Sequence, residues 1–313
     1  MSKRVIIASI CHPILVEQLT SRGFDVLHLP HSNYNEVIQE LTNCVGIITA
    51  TNIKVDRMMI DAANSLQWIG RLGSGMEHID IDYANSMNIK CISSPEGNRN
   101  AVAEHCLGLL LNLMNNINKS YEEVKEGKWL RDENRGEELF GKTIALIGFG
   151  NVGNAFAKLL QPFEVKILAN DINKKNFPFD YIKQASLEDI FNEADIVSLH
   201  LPLTKITKHL TNDTFFNSFK KSIYFINTSR GEIVETNALV NALNNGKVKA
   251  TALDVLENEK INFYTETEKQ QFGFLLAQDN VIITPHIAGY SKEATYKMSY
   301  FLLEKLKNLH LIS

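Results

Sequence analysis

Two glycine-rich patterns, each typical of a phosphate-binding loop, overlap in this sequence. Residues 136–143, GEELFGKT, match the P-loop pattern G-x-x-x-x-G-K-T, and residues 148–153, GFGNVG, match the dinucleotide pattern G-x-G-x-x-G. In both patterns, backbone N–H groups at the start of a helix bind phosphate oxygens, because the positive end of the helix dipole lies there. Each pattern works only between a strand and a helix. The flanking residues therefore decide which nucleotide, if any, the chain binds.

The P-loop pattern has the wrong flanks. A buried strand must precede its first glycine, yet residues 128–135, KWLRDENR, are polar. A helix must begin at its Lys-Thr pair, yet the residues that follow Thr143 are apolar and resemble a strand. The sequence therefore disfavours a P-loop, and Lys142 is predicted to be a solvated residue just before a strand.

The dinucleotide pattern has the flanks that it needs. TIALI, residues 143–147, predicts a strand, and VGNAFAKLLQ, residues 152–161, predicts an amphipathic helix. The glycines between them allow a tight turn, close approach of a pyrophosphate and packing of the helix on the strand. These glycines are Gly148, Gly150 and Gly153.

An acidic residue about 20 positions further on strengthens the dinucleotide interpretation. Asp171 ends the next predicted strand, VKILAND. A carboxylate there accepts a hydrogen bond from the ribose 2′-hydroxyl and repels a 2′-phosphate, so the sequence predicts NAD as the cofactor. Lys174 and Lys175 follow closely and leave NADP open as an alternative.

The composition favours a small-molecule partner. A chain of 313 residues, 44% hydrophobic and 22% charged, is long enough for two domains of about 100 to 200 residues each. The formal net charge of -4 gives no basic excess for nucleic-acid binding. No apolar run reaches the roughly 18 residues that a membrane helix needs. The sequence therefore predicts neither a nucleic-acid nor a membrane partner.

The cysteines and histidines show no metal-binding pattern. The four cysteines lie far apart without C-x-x-C spacing, which argues against a zinc site and a disulfide framework. His28 and His31 share a short loop without acidic or cysteine companions, so no metal is predicted. The N-terminal MSKRVIIASICHP lacks the small-residue cleavage site of a signal peptide. Together these features predict a cytoplasmic protein.

The sequence predicts two blocks of alternating strands and helices, which must position these residues. In the first block, up to about residue 93, strand-like runs lie at 5–10, 45–48 and 67–70. A largely apolar helix is predicted over 100–118, and a polar stretch follows at 121–140. The second block has predicted strands at 143–148, 165–169, 195–199, 222–227, 249–253 and 280–283. Six strands with crossovers are what a doubly wound dinucleotide-binding fold requires. The last segment is helical and is predicted to pack on the first block.

Three further stretches extend the pattern: NTSRGEIV (227–234), ALDVLENE (252–259) and TPHIAG (284–289). With GFGNVG and Asp171, their order and spacing resemble the D-isomer-specific 2-hydroxyacid dehydrogenases. The resemblance extends from GRLGSGMEHIDID at residue 70 to PHIAG. It implies a catalytic set of Arg230, Glu259 and His286.

The resemblance also implies the architecture. We expect an α/β protein with two doubly wound parallel-sheet domains, in which a Rossmann NAD-binding domain is inserted in a smaller flavodoxin-like substrate domain. The expected substrate domain comprises residues 1–94 and 290–313, and the expected NAD-binding domain comprises residues 95–289.

Elementary chemistry agrees with the implied catalytic roles. Oxidation of a hydroxy acid needs a proton acceptor at the hydroxyl group, and histidine titrates near neutral pH, so His286 suits this role. A carboxylate beside the ring, such as that of Glu259, orients it and favours the imidazolium. The planar guanidinium of Arg230 can bind the substrate carboxylate through two parallel hydrogen bonds, which lysine cannot reproduce.

The resemblance assigns further residues to the cofactor and the substrate. His200, in LHLPLT, is expected to lie in a cofactor-lining loop, whereas His105 is predicted to be a core histidine. Asp254 is expected near the nicotinamide amide. The implied NAD-binding residues are Gly148, Gly150, Asn151, Val152, Gly153, Asp171, Thr228, Ser229, Asp254 and Gly289. The implied substrate loop, Gly73, Ser74, Gly75 and Met76, presents backbone N–H groups to the substrate carboxylate.

The identity of the substrate is the most detailed prediction from the sequence. A phosphorylated acid needs cations besides Arg230, and Arg71 and Arg99 are candidates. We therefore expect D-3-phosphoglycerate ahead of glycerate or glyoxylate, although the 49–52 loop, TATN, lacks the arginine that phosphoglycerate enzymes often carry there. Glyoxylate or hydroxypyruvate reduction by another 2-hydroxyacid dehydrogenase remains the alternative.

The alternative from another class of protein is an NADH-sensing corepressor that resembles this family. Such proteins carry long tails, whereas this sequence ends at Ser313. A formate-dehydrogenase-like enzyme would lack Glu259.

The polar arm at 121–140, with Trp129, resembles the dimer-forming segment of the family, so a homodimer is expected.

Overall fold

The computed structural model describes residues 3–174, 177 and 179–312. The chain divides into two compact units. Unit 1 consists of Met1–Ala101 and Gly289–Ser313, and unit 2 consists of Val102–Ala288. Because unit 2 interrupts the sequence of unit 1, the second unit is an insertion in the first.

Unit 1 contains a five-stranded parallel sheet with the order β2-β1-β3-β4-β5, which is the flavodoxin-like order. Alternate residues of β1 pack into two apolar clusters on opposite faces of the sheet, as a doubly wound fold requires. Its elements up to the first unit boundary are β1 (Arg4–Ala8), α1 (Pro13–Thr20), β2 (Asp25–His28), α2 (Tyr34–Gln39), β3 (Cys44–Thr49), α3 (Arg57–Ala62), β4 (Trp68–Arg71), α4 (Ile81–Ser86) and β5 (Lys90–Ser93).

The long helix α5 (Pro95–Met114) contains the first boundary between the units, after Ala101. It begins five residues before the predicted start at residue 100. Proline suits the first turn of a helix, because its fixed φ is helical and no partner is needed there for an N–H group. The helix ends before Asn116, whose φ of 53° is left-handed. The predicted end at residue 118 was therefore too late.

Unit 2 contains a seven-stranded parallel sheet with the order β12-β11-β10-β9-β6-β7-β8. Its strands are buried on both faces, because alternate residues of β6 pack into separate apolar clusters. Its elements are α6 (Ile117–Lys125), β6 (Thr143–Ile147), α7 (Asn151–Leu160), β7 (Lys166–Asn170), β8 (Ile182–Gln184), α8 (Leu187–Glu193), β9 (Ile196–Leu199), α9 (Asp213–Ser218), β10 (Ile223–Asn227), α10 (Thr236–Asn244), β11 (Val248–Leu253), α11 (Glu266–Leu276) and β12 (Val281–Ile283).

The order of the strands reverses between β6 and β9, which are neighbours in the sheet although two strands lie between them in sequence. In doubly wound sheets, ligands bind outside the carboxyl ends of the strands at such a switch point. The dinucleotide pattern follows β6, and His200 follows β9. The predicted fold class, two doubly wound α/β units with a Rossmann fold, is confirmed.

The final helix α12 (Lys292–Asn308) belongs to unit 1. Its buried residues Leu302, Leu303 and Leu306 join the apolar cluster that contains Val5 and Ile7 of β1. The predicted packing of this helix on the first block is therefore present in the structure.

Candidate active site

The turn between β6 and α7 has the geometry of a dinucleotide-binding loop. Gly148 has a φ of 93°, and a Cβ there would overlap the carbonyl oxygen of His200. A Cβ on Gly153 would overlap the carbonyl oxygen of Gly148. A Cβ on Gly150 would meet no atom within 4 Å, so this side of the turn faces open space. The first and third glycines are thus needed for packing, and the second leaves room for a pyrophosphate.

The start of α7 can bind an anion. Gly150 caps the helix without a side-chain hydrogen bond, so the first N–H groups depend on backbone geometry or a ligand. Asn151 and Val152 form the first turn behind this cap; Asn151 is exposed, and Val152 packs partly on the core of unit 2. Both residues therefore lie in the first turn of α7, and their contact with NAD stays a prediction.

Asp171 lies directly after β7 and contacts the same turn. Its Oδ2 accepts a hydrogen bond of 2.8 Å from the N–H of Phe149, and its Oδ1 accepts from the N–H groups of Asn173 and Lys174. The ammonium group of Lys174 donates to the carbonyl oxygen of Phe149 at 2.9 Å. The carboxylate therefore has a fixed position at the dinucleotide turn. Lys175, the second lysine of the NADP alternative, lies outside the described residues.

His200 presents buried polar atoms beside the turn. Both ring nitrogens are buried and have no hydrogen-bond partner among the described residues. Burial lowers the pKa of His200 to about 3, so the ring is neutral at physiological pH. Buried polar atoms without partners are uncommon, and here they accompany an open glycine turn. These features fit a bound dinucleotide, and the cofactor-lining role of the His200 loop stays a prediction.

The P-loop alternative fails in the structure. No strand precedes residue 136 in the described part of unit 2, and β6 begins at Thr143, where a P-loop needs a helix. Lys142 forms a 2.9 Å ion pair with Glu137, and the ammonium groups of Lys249 and Lys142 lower the pKa of the Glu137 carboxyl group. Lys142 is therefore a partly exposed structural cation just before a strand.

His286 and Glu259 form a hydrogen-bonded pair. The Nδ1 atom of His286 lies 3.0 Å from the carboxylate of Glu259, and both side chains are more than two-fifths exposed. The contact fixes the plane of the imidazole ring and leaves Nε2 for a ligand. The sequence separation of 27 residues is bridged because the loops after β11 and β12 meet at the same edge of the sheet. The arrangement can accept and return a proton.

The loop that carries His286 is held by Asp254. The carboxylate of Asp254, 1% exposed, accepts hydrogen bonds from the hydroxyl group of Thr284 and from the N–H groups of Ile287 and Ala288. His286 itself has a φ of 55°. This left-handed conformation costs about 1–3 kcal/mol and persists only when the surroundings enforce it. Asp254 therefore braces the backbone on both sides of His286; its contact with the nicotinamide amide stays a prediction.

Arg230 follows β10 in extended conformation, and its Nη1 donates to the carbonyl oxygen of Ser229 at 2.6 Å. The loop is built around the buried side chain of Asn227, which accepts from the N–H and hydroxyl groups of Ser229 and donates to the carbonyl oxygen of Arg230. Asn227 was not singled out from the sequence. Only its position at the end of a predicted strand could have indicated it.

Gly231 joins the Arg230 loop to the loop that carries Glu259. A Cβ on Gly231 would overlap the carbonyl group of Leu256, so the two backbones pass each other where only glycine fits. The backbone next to Arg230 is thereby held close to Leu256 and Glu257. The structure thus brings the loops of all three predicted catalytic residues to one edge of the unit 2 sheet.

The remaining predicted cofactor residues have mixed environments. Thr228 and Ser229 are buried, and the hydroxyl group of Thr228 lies 3.0 Å from the sulfur of Cys106. Gly289 is the first residue of the second segment of unit 1, where a Cβ would meet the side chain of Asn98 at 2.9 Å.

Arg71, one of the predicted substrate residues of unit 1, makes hydrogen bonds to its own loop. Arg71 is 6% exposed, and its guanidinium donates to the carbonyl oxygens of Gly75 and Leu72. Gly73, with a φ of 128°, donates its N–H to the hydroxyl oxygen of Ser94. Arg71 and Ser94 therefore hold the substrate loop in shape. Arg71 was predicted to bind a phosphate; its Nε and Nη1 donate to carbonyl oxygens of the same loop, and a phosphate contact stays a prediction.

The other predicted substrate residues are more open. Ser74 and Arg99 are exposed, Gly75 is buried, and Met76 packs partly against an apolar cluster of unit 1. Their contact with a substrate stays a prediction.

Comparison with known proteins decides the family. Residues 107–288 match the family model of the D-isomer specific 2-hydroxyacid dehydrogenase, NAD binding domain. The chain belongs to the D-isomer-specific 2-hydroxyacid dehydrogenase family. It is therefore an oxidoreductase that uses NAD.

Relatives of the dehydrogenase cover most of its length. It is 36% identical to the hydroxypyruvate reductase of Thermotoga maritima over 89% of this chain and 88% of that protein. It is 33% identical to the D-3-phosphoglycerate dehydrogenase of Archaeoglobus fulgidus over 98% of this chain, which spans only 57% of that protein. A D-lactate dehydrogenase from Aquifex aeolicus, complexed with NAD and lactic acid, has a TM-score of 0.84 and 27% identity over 98% of this chain and 95% of that chain.

The described residues of the dehydrogenase show no features of a metal site or of a membrane span. Among residues 3–174, 177 and 179–312, no group of three or more His, Cys, Asp or Glu side chains could hold a metal ion. In the same described residues, no helix combines the length and the apolar character that crossing a membrane requires.

Substitution of Asp171 tests the cofactor turn of the dehydrogenase. We expect Asp171→Ala to weaken NAD binding by roughly 10- to 100-fold, since a hydrogen bond to a charged group contributes about 1.5–3 kcal/mol. Loss of the carboxylate also removes the repulsion of a 2′-phosphate, so NADP binding should improve relative to NAD. Calorimetry with both cofactors measures the two effects.

The matched control for this measurement is Lys142→Ala, because Lys142 belongs to the rejected P-loop pattern. Its NAD affinity should equal that of the wild type. Equal binding of NADH and NADPH by the wild type would contradict the assigned role of Asp171.

Proposed function

We propose that this dehydrogenase interconverts a small D-2-hydroxy acid and the corresponding 2-keto acid. The observation that carries the proposal is the 3.0 Å pair of His286 and Glu259, beside a loop that holds Arg230. Bound NAD would supply the acceptor for the hydride of the hydroxyl-bearing carbon during oxidation, and bound NADH would supply the hydride during reduction.

In this proposal, His286 handles the proton. Its Nε2 accepts the hydroxyl proton during oxidation and donates it to the keto oxygen during reduction. Glu259, on Nδ1, keeps the ring in one orientation and stabilises the imidazolium that forms during oxidation. The brace at Asp254 keeps the backbone of His286 from moving as the ring changes charge.

Arg230 is the proposed partner of the substrate carboxylate. Its planar fork can donate two parallel hydrogen bonds, which fix both the position and the rotation of a planar carboxylate. The Asn227-centred loop and the close approach at Gly231 hold its backbone. A substrate bound this way presents its second carbon in one orientation, so the enzyme would act on a single enantiomer.

The proposed NAD contacts follow the observed turn. Gly148, Gly150, Gly153 and the start of α7 would bind the pyrophosphate, and Asp171 would bind the ribose. The remaining proposed contacts are Asn151, Val152, Thr228, Ser229, Asp254 and Gly289.

For the substrate, the proposal favours an unphosphorylated acid of the size of hydroxypyruvate or glyoxylate. Arg71, one of two arginines expected to bind a phosphate, is buried and donates to its own loop. The relative with the hydroxypyruvate reductase name matches 88% of its own length to this chain. D-3-phosphoglycerate is the second candidate, because enzymes with that name match 98% and 93% of this chain and Arg99 is exposed.

A comparison of two acids tests this choice. We expect kcat/KM for hydroxypyruvate to equal or exceed that for phosphohydroxypyruvate in NADH oxidation, with glyoxylate and pyruvate measured alongside. Arg71→Ala should lower both values alike, since it disturbs the loop and not a phosphate site.

A clear preference for the phosphorylated acid would contradict the favoured substrate. If Arg99→Ala then removed that preference, the second candidate would replace it. Lys90→Ala is the control, because Lys90 is an exposed cation in the edge strand β5.

An NADH-sensing binding protein is the rival from another class. The catalytic pair argues against it, because sensing a dinucleotide requires no proton acceptor beside the substrate arginine. A formate-dehydrogenase-like activity is disfavoured because Glu259 is present and bonded to His286. The proposed location is the cytoplasm, for which the four free cysteines are the supporting observation.

A homodimer is also part of the proposal. The arm at 121–140 exposes several large apolar side chains, which is unusual for a polar segment. These side chains are Tyr121, Val124, Trp129, Leu130 and Phe140. Trp129 is 78% exposed, and tryptophan is enriched at protein interfaces. A second copy of this chain is the proposed partner of this arm.

Substitution of Trp129 tests the dimer. We expect Trp129→Glu to shift the protein from dimer to monomer in analytical ultracentrifugation at micromolar concentration, because a charge would be buried in the interface. Trp129→Phe keeps an apolar ring and should remain dimeric. A wild type that sediments as a monomer would contradict the proposal.

A further inference from the structure

Helix α5 contacts the loop that carries His286 through a histidine that the mechanism does not use. The Nε2 atom of His105 lies 3.0 Å from the hydroxyl oxygen of Thr284. Thr284 in turn donates to the carboxylate of Asp254, the brace described above. His105 was predicted to be a core histidine, yet its side chain is 22% exposed and ends in this polar chain.

The directions of these hydrogen bonds follow from the donors available. An ionised carboxylate only accepts, so the single hydroxyl proton of Thr284 points to Asp254. The oxygen of Thr284 can then only accept from His105. The proton of a neutral His105 ring therefore lies on Nε2, and a replacement residue must supply a donor at the same place.

The chain of hydrogen bonds ends at the backbone of His286. The Oδ1 atom of Asp254 accepts from Thr284 and from the N–H of Ile287, and Oδ2 accepts from Ala288. These contacts flank His286, whose left-handed φ of 55° needs support from its surroundings. Without the donor of His105, the hydroxyl group of Thr284 loses one of its two hydrogen bonds and keeps the one to Asp254.

We propose that His105 is a positioning residue for His286, acting through Thr284 and Asp254. This inference rests on the proposed function, in which His286 transfers the proton. The adjacent residue of α5 makes a similar contact with the other loop, since the sulfur of Cys106 lies 3.0 Å from the hydroxyl oxygen of Thr228, two residues before Arg230. One turn of α5 thus contacts both loops of the candidate site.

The first test compares two substitutions of His105. His105→Leu removes the donor and should lower kcat by roughly 10- to 100-fold, the scale expected when a reacting group is displaced by up to about 1 Å. KM and the NADH dissociation constant, measured by fluorescence titration, should change little. His105→Gln keeps an N–H donor and should restore most of the lost kcat. His310→Leu, the same change at an exposed position, is the control.

The second test uses Thr284, in case His105→Leu does not fold. Thr284→Val removes the hydroxyl group, Thr284→Ser keeps it, and only the first should lower kcat. The double variant His105→Leu with Thr284→Val should lose less activity than the two single losses combined, because both residues act on the carboxylate of Asp254: Thr284 donates to it, and the Nε2 atom of His105 lies 3.6 Å from its Oδ1.

Three results would overturn the inference: an unchanged kcat in His105→Leu and Thr284→Val, equal losses in His105→Gln and His105→Leu, or additive losses in the double variant. Failure of the proposed function has a different signature, since His286→Ala would then leave kcat unchanged. If His286→Ala lowers kcat and His105→Leu does not, the positioning role alone is wrong.

Discussion

Replacement of His286 by alanine should lower kcat by roughly 10²- to 10⁴-fold, the range for loss of a general acid-base group. The NADH dissociation constant should stay nearly the same, because the side chain of His286 is not among the proposed NAD contacts and the dinucleotide turn lies after β6. Stopped-flow measurement of NADH oxidation separates the chemical step from product release. A variant that keeps wild-type kcat would show that another group transfers the proton.

The companion variant is Glu259→Gln, which keeps a similar shape and removes the charge on the partner of Nδ1. Reduction needs the protonated imidazole, and Glu259 stabilises that form. Without the charge, the imidazole ring loses the carboxylate that orients it, so kcat should fall by roughly 10- to 100-fold, since a hydrogen bond to a charged group contributes about 1.5–3 kcal/mol. An unchanged kcat in steady-state kinetics would show that Glu259 does not assist His286.

Replacement of Arg230 by lysine should lower kcat/KM by roughly 10²- to 10³-fold, since disruption of a hydrogen-bonded charge pair costs about 2–5 kcal/mol. Lysine keeps the charge but lacks the planar fork, so the carboxylate loses its fixed rotation. Steady-state kinetics with the preferred keto acid measures the loss.

The control for Arg230→Lys is Arg22→Lys, because Arg22 lies in unit 1 just after α1, where its guanidinium donates to the backbone and side-chain oxygens of Gln18. Its kcat/KM should match that of the wild type. If Arg230→Lys also kept the wild-type value, the substrate carboxylate would have another partner.

The strands that the sequence predicted are those with continuous apolar runs. All six predicted strands of unit 2 are present within one residue at each end. The strands that were missed, β2, β5 and β8, lie at sheet edges and have few buried residues. An edge strand needs little apolar surface, and its pairing is decided by the neighbouring strand, so the local sequence carries a weak signal.

The candidate site was also predicted only in part from the sequence. The motifs placed Arg230, Glu259 and His286 on loops that the structure brings to one sheet edge. The supporting residues, such as Asn227 and Arg71, could not be assigned from the sequence. Their roles depend on which carbonyl or hydroxyl group lies within reach, and that is known only once the loops have folded.

The contacts of Asp171 have a thermodynamic consequence. A carboxylate has about four acceptor sites, and three backbone N–H groups already use three of them. The side chain is therefore fixed before any nucleotide binds. Binding then causes little further loss of side-chain conformational entropy at Asp171. One acceptor site is left for a ribose hydroxyl group. Recognition of the adenosine end should therefore carry a smaller entropic penalty than recognition by a mobile carboxylate.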